Sequence, residues 1–123
     1  MNKVFRFVLA GLAAVTVIVT LAACAPAKSI DMGSVASVID VRTPEEFATG
    51  HLDGAININF EGADFESEIQ ALDHAANYVL YCRSGNRAGQ VLSYMQSNGF
   101  SGTITNAGSV ADASAATGIA IVQ

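Results

Sequence analysis

Apolar positions fall into short blocks separated by polar stretches over most of the chain, and the first block is unlike the rest. Phe7–Ala22 is apolar except for two threonines and follows Lys3 and Arg6. After it, "APAKSIDMGS" (25–34) is small and polar and reads as a tether. "VASVIDV" (35–41) is β-branched and almost continuously apolar, as a strand covered on both faces would be. "RTPEEFATG" carries a helix start: Thr43 can cap, Pro44 suits the first helical position, and Glu46 completes a capping box. Gly50 then stops that helix after little more than a turn. "GAINI" (54–58) predicts a second short strand, and "FESEIQALDH" places Phe65, Ile69 and Leu72 at helical spacing with carboxylates opposite.

The second half repeats the alternation. "NYVLYC" (77–82) predicts a central strand, and "RAGQVLSYMQSNGF" a helix with Val91, Leu92 and Met95 inward and Asn98-Gly99 as its C-cap. "GTITN" (102–106) is a fourth strand and "GIAIVQ" (118–123) can be a last one. "SVADASAATG" (109–118) is rich in small residues and weakly specified. Strands alternating with helices predict an α/β domain, a mainly parallel sheet flanked by helices on both faces.

The N-terminal block changes the picture of where this domain works. A basic start, an apolar run shorter than the ~20 residues of a spanning helix, and the small-residue end "LAAC" (21–24) are the layout of a secretory signal peptide. "LAAC" resembles the lipobox of bacterial lipoproteins, which implies cleavage before Cys24 and lipidation of its thiol. The division expected is a lipoprotein signal peptide over 1–23, a lipid-anchored linker over 24–34 and the folded domain over 35–123. That places the domain outside the cytoplasm, held to a bacterial membrane by its lipid, or by an uncleaved anchor.

Charge then narrows the partners. The full chain has 6 basic and 11 acidic residues, a net charge of −5. Loss of Lys3 and Arg6 with the signal takes the mature chain near −7, with no basic face, which argues against a nucleic-acid partner. The chain has two cysteines. If Cys24 carries lipid, Cys82 has no partner within the chain. An unpaired cysteine in an oxidising compartment points to intermolecular pairing or a reactive thiol.

The candidate chemistry lies in "YCRSGNRAG" (81–89). Ligands of open α/β sheets bind beyond the carboxyl ends of strands, where Cys82 falls. Gly85 permits a tight turn, backbone amides of such a loop can form an anion nest, and the following helix presents its positive end. Arg83 and Arg87 add fixed positive charge and Ser84 a hydroxyl donor. Each favours thiolate over thiol. The alternative is that Cys82 is a small buried hydrophobe.

These residues carry a family resemblance. "DVRTPEEFATGHLDGAINI" (40–58) resembles the N-terminal signature of single-domain rhodaneses, and "YCRSGNRA" resembles their active-site loop, Cys-x4-Arg. "NGF" and "TITNAGS" resemble the segment leading to the last part of that fold. The resemblance implies a thiosulfate-type sulfurtransferase with Cys82 as the persulfide-forming nucleophile. Arg83, Ser84, Gly85, Asn86 and Arg87 would surround its sulfur, the Arg87 guanidinium holding loop carbonyls or the substrate anion. Asp40 and Arg42 would organise the fold near the site. A small sulfur-donor anion and a thiol or cyanide acceptor are the partners implied, with no metal or organic cofactor, in a monomer. Phosphatases and arsenate reductases share a cysteine-to-arginine anion loop but resemble Cys-x5-Arg, one residue longer. A module that holds sulfane sulfur or senses redox state without turnover is the other reading. His51 and His74 read as structural or surface residues, and Glu61, Asp64, Glu66 and Glu68 as a solvated helix face.

Overall fold

The computed structural model describes residues 28–123. The signal segment and Cys24 lie outside them. A 3-10 turn at Met32–Ser34 leads into β1 (Val35–Asp40), α1 (Pro44–Ala48), β2 (His51–Leu52), β3 (Ile56–Asn57) and α2 (Phe65–Gln70). Then come β4 (Asn77–Tyr81), α3 (Asn86–Ser97), β5 (Ile104–Asn106), α4 (Val110–Thr117) and β6 (Ile121–Val122). The main sheet has the order β3-β1-β4-β5 and is parallel throughout.

Strand alternation divides the core in two. Ile39 and Val41 share one face with Tyr78, Leu80 and Cys82, packed by Phe65 and Ile69 of α2 and Ala88, Val91 and Met95 of α3. Val38, Val79 and Tyr81 face the other way, onto Leu52 of β2 and Ala113 of α4. Both faces are therefore covered, which is why β1 and β4 read as continuous apolar runs. The α1 capping box forms as expected: the Thr43 side chain accepts from the Glu46 amide, and Glu46 accepts from the Thr43 amide at 3.1 Å. Glu61, Asp64, Glu66 and Glu68 are all exposed.

Three features depart from the pattern reading. The packed unit starts before Val35: the Ile30 amide donates to the Ala116 carbonyl at 2.8 Å, and Ile30 and Met32 pack against the α4 side of the core. Residues 30–34 thus belong to the domain and not to a free tether. The weakly specified 109–118 segment is α4, begun by a second capping box between Ser109 and Asp112 and ended by Gly118 in left-handed backbone. The last strand, β6, leaves the main sheet and pairs antiparallel with β2, His51 opposite Val122 and Leu52 opposite Ile121.

Candidate active site

Cys82 directly follows β4 and is 1% exposed, so by burial alone it resembles a core residue. Its hydrogen bonds say otherwise. The sulfur accepts the Gly85 N–H at 3.0 Å, and the amides of Ser84, Arg87 and Ala88 also bear on it. The geometry follows from how α3 begins. Gly85 is its N-cap, with φ +90°, and has no side chain to satisfy the first amides of the helix. Those amides have no intrahelical partner, and Cys82 Sγ stands where a capping oxygen would be. Burial is the largest influence on the thiol and pushes its pKa up, but the four amides together outweigh it. The net pKa lies below the ordinary thiol value, which favours a thiolate nucleophile.

A second loop braces the first. The Cys82 amide donates to the Gly108 carbonyl at 3.0 Å. Asn106 Nδ2 donates to the Gly85 carbonyl at 2.9 Å, while its Oδ1 accepts from the Gly108 amide at 3.0 Å. Asn106 escaped the sequence reading, although its place at the end of β5, beside the end of β4, is where a parallel sheet brings loops together.

Arg83, Ser84 and Asn86 are exposed around the sulfur. The Arg87 guanidinium has a partner the sequence reading did not include, the Glu46 carboxylate, Nη1 to Oε2 at 2.7 Å and Nη2 to Oε1 at 2.9 Å. This pairing pulls the Glu46 pKa from 4.5 to about 2 and raises that of Arg87. Glu46, seen in the sequence only as a capping residue, is thus part of the site's charge.

Asp40 and Arg42 form a separate buried unit on the other side of the sheet. Arg42 Nε donates to both Asp40 oxygens at 3.0 and 3.1 Å, and its Nη2 to Oδ2 at 2.7 Å and to the Gly50 carbonyl at 2.6 Å. The guanidinium lies 5.8 Å from the Tyr81 ring centre, and the Tyr81 hydroxyl accepts from the Leu52 amide at 3.0 Å. This unit ties β1, β4 and β2 together beneath the site without reaching the sulfur. His51 stacks on Phe47 and donates from Nδ1 to the Phe47 carbonyl at 2.9 Å; His74 stacks on Phe100. Neither histidine contacts Cys82.

The domain is thus a parallel α/β fold that presents a cysteine sulfur at the start of the helix after its central strand. Residues 26–115 match the family described as rhodanese-like domain. The chain belongs to that family. It is 40% identical over 67 residues to a thiosulfate sulfurtransferase, GlpE, of Pseudomonas aeruginosa, covering 54% of this chain and 58% of that protein. It is 30% identical over 86 residues to a thiosulfate:glutathione sulfurtransferase of Saccharomyces cerevisiae, covering 61% and 62%. The chain therefore spans less than two thirds of the curated relatives it matches. Among solved structures, a rhodanese with anions from E. coli superposes with a TM-score of 0.58 at 28% identity, over 71% of this chain and 96% of that one.

Proposed function

We propose that this protein is a thiosulfate-type sulfurtransferase that carries a sulfane sulfur as a Cys82 persulfide. The observation that supports it most is the Gly85 N–H donated to the Cys82 sulfur at 3.0 Å at the start of α3, with the backbone of that turn lowering the thiol pKa. Amides so placed stabilise a thiolate before reaction and the terminal sulfur anion after it. In the first half-reaction the Cys82 thiolate attacks the outer sulfur of thiosulfate. A new S–S bond forms, the old one breaks, and its electron pair leaves on sulfite. In the second, cyanide or a thiolate attacks the outer persulfide sulfur and Cys82 returns as thiolate. The cycle is covalent catalysis by an activated thiol, and its electrons balance without an external oxidant or reductant. The names of the two relatives, both thiosulfate sulfurtransferases, support the donor; the acceptor in the cell we take to be a thiol. On the N-terminal sequence we further propose a lipid anchor at Cys24 and a site of action outside the cytoplasm.

Intact mass of the full chain, made in bacteria and held in detergent, tests these readings together. Thiosulfate should add one sulfur, cyanide should remove it, and Cys82→Ser should show neither change. Sulfur that loads but is never released to any acceptor would favour a binding or sensing module. No loading, with Cys82 still open to alkylation, would end the sulfurtransferase reading. A mass that retains residues 1–23 or lacks acyl chains would end the lipoprotein one.

A further inference from the structure

Arg87 reaches from the first turn of α3 to α1 and gives both terminal nitrogens to one carboxylate. A bidentate arginine–carboxylate pair combines charge with fixed geometry. Glu46 is held in turn: its Oε2 also accepts from the Thr43 amide at 3.1 Å and the Thr43 hydroxyl at 3.2 Å. The pair is partly open to water, with side-chain exposures of 19% for Arg87 and 31% for Glu46. The Arg87 cation feels the charges of Glu46 on α1, of the Cys82 sulfur and of Glu61 in the segment before α2, and Arg83 follows Cys82 directly in the loop. Among the described residues, Arg83 takes part in neither ion pair. An arriving anion thus meets the Gly85 amide at the sulfur, while the Arg87 cation is already paired with Glu46.

We propose that Glu46 is a specificity-determining positioning residue, which holds Arg87 back from the donor and disfavours dianions relative to singly charged sulfane donors. The inference rests on the sulfur-transfer reading of Cys82. Coulomb energy scales with the product of charges, so a carboxylate at the pocket repels a dianion twice as strongly as a monoanion. With Glu46 in place a dianion such as thiosulfate loses more of the attraction that a free Arg87 would give than a singly charged thiosulfonate does.

The test compares two donors, thiosulfate and the monoanion benzenethiosulfonate, with the full chain in detergent. Glu46→Gln keeps the shape of the side chain and removes its charge. Its KM for thiosulfate should fall about threefold, as an exposed pair of this kind allows, with a smaller fall for the monoanion and kcat little changed. The difference between donors should fade as salt is raised. Glu45→Gln, which removes an exposed charge of the same helix and leaves the Glu46–Arg87 pair intact, should leave the ratio of the two KM values unchanged. An unmoved ratio in Glu46→Gln would overturn the proposal, reducing Glu46 to a helix cap. A ratio that moves equally in Glu45→Gln would overturn it as well, as an effect of net charge alone. Failure of the wild type to take sulfur from either donor is a different result, visible before any variant is made, and removes the parent reading with this one.

Discussion

Alanine in place of Gly85 strains the cradle at the residue that both shapes it and touches the sulfur. Gly85 has φ +90°, and a residue with a Cβ in left-handed backbone costs about 1–2 kcal/mol. The new Cβ would stand 3.2 Å from the Gly108 Cα, with Asn106 Oδ1 and Nδ2 at 3.6 and 3.7 Å. The Asn106 contacts are ordinary; the Gly108 contact is tight, and it is backbone. Relief requires the two loops to separate by a few tenths of an ångström, which loosens the Asn106 bridge between them. Together these effects amount to about 2–3 kcal/mol, within the range of backbone substitutions with a named cause. In a domain of this size each kcal/mol moves Tm by about 4–8 °C, so a fall on the order of 10–20 °C is expected.

The same movement has a chemical readout. The Gly85 N–H meets Cys82 Sγ at 3.0 Å. A hydrogen bond to a charged acceptor contributes about 1.5–3 kcal/mol, and one pKa unit corresponds to about 1.4 kcal/mol. Partial loss of this bond should raise the Cys82 pKa. The rate of Cys82 alkylation by iodoacetamide as a function of pH measures that pKa, and a thermal melt of the same sample gives Tm. Both should move. A lowered Tm with an unmoved thiol pKa would refute the part assigned to the Gly85 amide, and an unmoved Tm would refute the left-handed cap.

Arg42→Ala should destabilise the fold by about 3–5 kcal/mol, because it leaves Asp40, 0% exposed, as an unpaired buried charge. Denaturant unfolding measures this, and a loss below about 1 kcal/mol would contradict the pairing. The Glu46–Arg87 pair makes stability depend on pH. Folding lowers the Glu46 pKa from 4.5 to about 2, so between those values the unfolded chain binds the proton more readily and stability rises with pH. The contribution is complete above about pH 4.5 and is lost as pH falls toward 2, and with Glu46 partly exposed it is worth about 1 kcal/mol. Unfolding curves of wild type and Glu46→Gln should therefore converge across that window; curves that stay parallel would speak against the pair.

How much of this was legible depends on how far apart in sequence the interacting residues lie. β1, β4 and α3 could be read because their burial is written into their own composition: Val38, Ile39 and Val41, then Tyr78 to Cys82, then Val91 and Met95 at helical spacing. The α1 capping box is a contact between residues three apart and was equally plain. α4 was missed because its inward residues are Ala113 and Ala116, which bury too little area to mark a face, although Ser109 and Asp112 spell its start. β6 was read from "GIAIVQ", but its partner β2 is two residues long and forms where the fold brings the C-terminal segment beside the stretch after α1; no local preference announces such a pair.

The site divides along the same line. Its reactive centre is local, since Cys82 and the amides that hold it lie within residues 82–88. A short motif therefore carries the class of chemistry. What tunes that centre is distant: Glu46 reaches Arg87 across 41 positions, and Asn106 reaches Gly85 across 21. The sequence reading accordingly found Arg87 but not Glu46, because nothing local to either residue tells that a carboxylate 41 positions away pairs with it. On the proposed reading donor preference depends on that occupied charge, so chains with the same Cys-x4-Arg loop and a neutral residue in place of Glu46 should differ from this one in the charge of the donor they favour.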